Sequence, residues 1–82
     1  NFSNANLENA NLKDANLLSA YLEEANLKNA VLSGAFLSDT IFSYANLEGA
    51  NLEGANLDGA NLDGAIFCKT IMPDGQVENS GC

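Results

Sequence analysis

The stretch Ala45-Asn46-Leu47-Glu48-Gly49-Ala50-Asn51-Leu52-Glu53-Gly54-Ala55-Asn56-Leu57-Asp58-Gly59-Ala60-Asn61-Leu62-Asp63-Gly64 repeats one five-residue unit four times. The same frame extends in both directions, from Phe2 to Phe67. Every fifth residue is large and apolar, Leu at eleven positions and Phe at three (Phe2, Phe42, Phe67). Two residues before it stands Ala, in twelve of thirteen cases, with Thr40 as the exception. Asn usually lies between the two, and the pair that follows is polar or Gly. Repetition this persistent constrains the fold before any local motif can.

A period of five suits neither regular element. On an α-helix it advances about 500° per step, so successive leucines fall roughly 140° apart and form no stripe. In one continuous strand an odd step alternates faces, and every second leucine would point to water. A short extended piece with Ala and Leu on one side and Asn on the other, followed by a two-residue corner, returns each Ala-x-Leu to the inside. Repeated corners close a coil, and coils stacked about 4.8 Å apart pair their backbones as in a β-solenoid. The interior is then a column of Leu and Phe beside a column of Ala, kept small so that the walls can approach.

The number of sides is not fixed by the period. Three sides would stack Glu8 over Glu23 and Lys13 over Lys28, whereas four place Glu8, Lys28 and Glu48 in one column. Opposite charges on successive rungs favour the square, a preference worth under about 1 kcal/mol at exposed positions.

Composition narrows the function classes. The chain has 82 residues, 11 acids, 3 lysines and no His, with a net charge of −8 and 46% hydrophobic residues. That is too apolar for a disordered acidic tail, and its apolar runs are far too short for a membrane span. A strongly negative chain repels nucleic acid unless it imitates it. No imidazole is available as base, shuttle or ligand. The acids fall at outward positions and read as a solvated face, the glycines at 49, 54, 59 and 64 are corner residues and not a phosphate loop, and no catalytic, cofactor or metal site is expected.

Blocks such as Ala45-Asn46-Leu47-Glu48-Gly49 and Ala60-Asn61-Leu62-Asp63-Gly64 resemble the A(D/N)LXX signature of the pentapeptide-repeat family. The resemblance covers residues 1–74 and implies an all-β, right-handed quadrilateral β-helix of about 3.75 coils, with residues 75–82 as a short C-terminal cap. The ending Phe67-Cys68-Lys69-Thr70-Ile71-Met72-Pro73-Asp74-Gly75 with Cys82 is similar to the cap of cyanobacterial and plant thylakoid-lumen members. A cap covers the last apolar layer, and Pro73 is expected to remove a ladder donor where stacking stops. Cys68 and Cys82 are either a staple holding this segment to the last coil or two independent thiols. The staple is the expectation, and it points to an oxidising compartment, thylakoid lumen or periplasm, with the cytoplasm as the alternative.

Departures from the repeat mark the candidate site. Asn gives way to Tyr21, Val31, Phe36, Ile41 and Ile66, while Leu18 and Tyr44 occupy corners. On a square coil Tyr21, Val31, Phe36 and Ile41 form a partial outward apolar belt, suited to an unidentified protein partner or to self-association. The reading is therefore a non-catalytic interaction module, without direct nucleic-acid binding or membrane insertion. Family members that imitate a DNA duplex supply the alternative, an acidic rod that binds a type II topoisomerase.

Overall fold

The computed structural model describes residues 1–82. From Asn6 onward each block forms a parallel bridge with the block twenty residues later: Asn6 with Asn26, Asn11 with Val31, Asn16 with Phe36, Tyr21 with Ile41, and so on to Asn51 with Ile71. Four blocks therefore complete one coil, as the charge column Glu8, Lys28, Glu48 suggested, and the three-sided alternative is excluded. The four faces take their numbers in chain order. Face 1 carries Asn6, Asn26, Asn46 and Ile66; face 2 carries Asn11, Val31, Asn51 and Ile71; face 3 carries Asn16, Phe36 and Asn56; face 4 carries Tyr21, Ile41 and Asn61.

The block Ala25–Asn29 shows why this pentapeptide suits the coil. Its five backbone N–H groups have five destinations. Ala25 donates to the Leu22 carbonyl at 3.1 Å and closes the preceding corner, Asn26 donates back to Ala5 at 2.9 Å, and Leu27 and Asn29 donate forward to Asn46 and Glu48 at 2.8 Å each. The remaining donor, Lys28 N–H at the first corner position, goes to the Asn26 side-chain oxygen at 3.1 Å. Asn thus precedes the large residue because its side chain bonds the backbone two residues on, satisfying the one N–H that no coil-to-coil bond reaches.

Every corner up to Cys68-Lys69 has a positive φ at its second residue only, the signature of a type II turn. Glycine meets this at positions 34, 49, 54, 59 and 64, yet nine non-glycine residues do the same with φ between 54° and 64°, among them Glu24, Tyr44 and Lys69. The ladder bonds on either side hold these residues in a conformation that costs roughly 1–2 kcal/mol outside glycine.

The core occupies the middle coils. Leu22, Leu27, Leu32, Leu37, Phe42, Leu47 and Leu52 are wholly buried, with Ala25, Ala30, Ala45 and Ala50 beside them. Leu7, Leu12, Leu17, Leu57 and Leu62 pack against that core while remaining partly exposed. Thr40 and Thr70 replace Ala and are buried without an unsatisfied oxygen, because their hydroxyls donate to the carbonyls of Leu17 and Leu47 in the coil before.

The coil is left at residue 74. Asp74 does not take the left-handed conformation of the other second corners; Gly75 does so one residue late, at φ 86°. The chain consequently reverses into a hairpin, β1 (Thr70–Ile71) against β2 (Val77–Glu78), in which Thr70 faces Glu78 and Ile71 faces Val77. Ile71 also bridges Asn51, so this hairpin is continuous with face 2. The expected role of Pro73 needs correction. It stands at a first corner, whose N–H never joins the ladder in any block, and its carbonyl still accepts from Gly54 at 3.0 Å. Its fixed φ favours the turn instead.

Candidate interaction surface

With the two inward columns nearly constant from block to block, the side chains that vary are those on the faces and at the corners. Phe36 and Tyr21 are 56% and 50% exposed, while Val31 and Ile41 are half-buried. Tyr21 and Ile41 are direct neighbours in successive coils of face 4, and Phe36 lies on face 3, one corner away. Val31 is on face 2, one corner from Phe36 and opposite Tyr21 and Ile41, so the four expected residues span three successive faces, with Val31 at the far end from the Tyr21–Ile41 pair.

Two corner residues complete the group. Leu18, 59% exposed, stands at the corner between faces 3 and 4, and Tyr44, 69% exposed, at the corner that leaves face 4. Sequence reasoning singled out both as large corner residues without joining them to the belt. The signal that unites them is the twenty-residue coil, which puts Leu18 one rung from Ser38 and next to both faces. Tyr44 is held in place from below. A Cβ added to Gly64, one coil on in the same corner column, would fall on the Tyr44 ring, so the ring lies flat over bare backbone. An exposed aromatic already ordered in this way loses less entropy on binding.

Charge is distributed unevenly around the coil. The arc made of faces 3 and 4 and the corners that follow them contains Glu23, Glu24, Asp39, Asp58 and Asp63 and none of the three lysines. Lys13, Lys28 and Lys69 all stand at the corners on either side of face 2, among five further acids, with Glu78 on β2. Leu18, Tyr21, Phe36 and Tyr44, four of the seven exposed large apolar side chains, therefore share one half of the surface with the least compensated negative charge, while Ile66 stands on face 1, Val77 on the cap strand and Phe2 at the first coil.

At the cap the two cysteines form a disulfide, Cys68–Cys82, as the staple reading expected. Two more bonds fasten the same segment: Gly81 N–H donates to the Phe67 carbonyl at 2.7 Å, and Lys69 N–H to the Asn79 side-chain oxygen at 2.8 Å. Gly81 fits because its Cα lies against the backbone of Phe67, where a Cβ would come within 3.0 Å of the nitrogen.

The sequence profile of the Pentapeptide repeats family matches residues 1–39, 20–57 and 37–74, with eight copies. The chain belongs to the pentapeptide-repeat family. Among solved structures it is similar to HetL of the cyanobacterium Nostoc, a pentapeptide repeat protein involved in heterocyst differentiation regulation, at 38% identity over 89% of this chain and 40% of that one, with a TM-score of 0.39. It is similar also to Rfr23 of the cyanobacterium Cyanothece, at 42% identity over 73% and 44% of the two chains and a TM-score of 0.41. A pentapeptide repeat protein of the Arabidopsis thaliana thylakoid lumen matches at 26% identity over 89% and 65%, with a TM-score of 0.35. The chain thus spans 40% and 44% of the length of the two cyanobacterial proteins. No curated protein matches it.

Proposed function

We propose that this chain is a non-catalytic protein-interaction module, a rigid four-sided rod that presents Phe36, Tyr21 and Ile41, together with Leu18 and Tyr44, to a protein partner. One observation carries the reading: five large apolar side chains gather on two adjoining faces of a scaffold whose own core has no use for them. Monomeric proteins seldom display contiguous apolar surface without a binding role. The disulfide supports an oxidising compartment, thylakoid lumen or periplasm, since such bonds are rare in the cytosol.

The test is affinity capture by the native chain beside Phe36→Asp and Asn46→Asp, the latter an outward change on face 1 that keeps the corner acceptor. A partner held by the native chain and by Asn46→Asp, and lost with Phe36→Asp, is the expected result. Equal capture by all three would remove these faces from the function. Inhibition of DNA supercoiling by a type II topoisomerase, unaffected by Phe36→Asp, would replace the reading with the DNA-mimicking rod.

A further inference from the structure

Resting on that interaction reading, we infer that the partner of faces 3 and 4 is a basic amphipathic protein segment, one that interleaves Lys or Arg with apolar side chains. The apolar half of such a segment meets Phe36, Tyr21, Ile41 and the corner residues Leu18 and Tyr44. Its cations meet the acids that frame them: Asp58 and Asp39 at the corner shared by the two faces, and Glu23, Glu24 and Asp63 at the corner beyond face 4.

Charge complementarity selects this occupant over the others. A second copy docked face to face would set five acids against five across an interface with no lysine on either side, and juxtaposed like charges cost several kcal/mol at an interface. Nucleic acid and anionic lipid surfaces are repelled by the same five carboxylates. A neutral apolar segment would cover the aromatics and strand the acids beside a desolvated surface, a penalty that a basic partner removes. The lysines at the corners flanking face 2 offset part of the negative charge on that side, so a basic segment is drawn most strongly to faces 3 and 4, where no lysine competes.

The experiment uses the whole disulfide-bonded chain, isotopically labelled, titrated with three short peptides: a Leu/Lys amphipathic sequence, its Leu/Glu counterpart, and a Ser/Lys sequence of equal charge and no apolar face. Amide shift changes for the Leu/Lys peptide should concentrate at residues 18, 21, 36, 41 and 44 and spare Asn46 and Asn51. Affinity should fall about tenfold or more in Glu23→Lys/Asp58→Lys/Asp63→Lys, three first-corner positions that do not need a left-handed backbone. It should also weaken between about 0.01 M and 0.3 M salt. The Leu/Glu peptide should not bind, and the Ser/Lys peptide should bind more weakly.

Shift changes spread evenly over all four faces, an equally tight Ser/Lys or Leu/Glu peptide, or unchanged affinity in the triple variant would overturn the inference. So would salt-resistant self-association of the native chain that Phe36→Asp abolishes, because the occupant would then be a second copy. If Phe36→Asp removes a captured partner while the Leu/Lys peptide fails to bind, the interaction module stands and only the partner class falls. A matching circular-dichroism melt of each variant separates these results from loss of fold.

Discussion

The Thr40 hydroxyl donates to the carbonyl oxygen of Leu17, 2.8 Å away in the preceding coil. That oxygen already accepts the Ala20 N–H at 3.0 Å, so both of its lone pairs are engaged. Thr interrupts the alanine column without strain because the bond draws its polar atom onto backbone, while its methyl group packs in a position that is fully buried.

Thr40→Ala, which restores the repeat, should therefore destabilise the chain by about 1 kcal/mol, the net worth of one hydrogen bond, despite the better match to the alanine column. Thr40→Leu should cost more, about 1–3 kcal/mol, by forcing the walls apart. Urea unfolding measures both. A more stable Thr40→Ala would show that the Leu17 bond contributes nothing.

The corner glycines should not be equivalent. Gly54 has φ +72° and open space where a Cβ would stand, its nearest neighbour being the Gly34 nitrogen at 3.9 Å; Gly64 has the same φ beneath the Tyr44 ring. Since Asn4, Asn9 and Asn29 adopt this conformation elsewhere, Gly54→Asn should cost under about 1 kcal/mol. Gly64→Asn adds displacement of the ring and should cost about 1–2 kcal/mol more, with a change in tyrosine fluorescence that Gly54→Asn lacks. Equal losses would mean that Tyr44 is not seated on Gly64.

How far the sequence could be read depended on whether a feature follows from spacing alone. Leu27 and Ala45 are inward on any coil built from five-residue units, so their burial was legible. The number of sides did not follow from the spacing: the exposed column Glu8, Lys28, Glu48 favoured four weakly, and the resemblance of the blocks to pentapeptide repeats supplied the rest. Tyr21 and Phe36 were recognisable as outward by parity, and a square coil spreads Val31, Phe36 and Ile41 over three successive sides; their union with Leu18 and Tyr44 required the observed corner columns. The role of Asn46 also escaped the sequence. Its bond to the Glu48 N–H, 3.0 Å, answers a need that only the folded coil reveals, because Glu48 N–H is the one donor of its block that no backbone bond reaches.

The inward and outward halves of a block should respond to the same substitution in opposite ways. Leu47 is wholly buried and Glu53 exposed. Leu47→Lys should unfold the middle coils, because an unpaired ammonium has no partner in a dry column and the gap it makes adds to the loss. Glu53→Lys should leave the melting temperature within a degree or two of the native value, the ordinary effect of a surface change. Circular dichroism distinguishes them. A native-like melt for Leu47→Lys would mean that the column is wet.

The cap should stabilise its own neighbourhood and not the rod as a whole. The bond between Cys68 and Cys82 closes a segment of sequence separation 14, and a loop of that size contributes up to roughly 3 kcal/mol in the chain-entropy model. In a solenoid each coil interacts with its neighbours only, so this contribution decays away from the end that receives it. Replacing both cysteines with Ala should therefore accelerate hydrogen exchange at the amides of Gly81, Lys69 and Met72, which depend on the returning segment, by up to about a hundredfold. The amides of Leu27 and Asn46 lie in coils sealed on both sides and should exchange as in the native chain. If Leu27 accelerates in step with Gly81, the rod opens as one cooperative unit, and the staple secures the core from its edge.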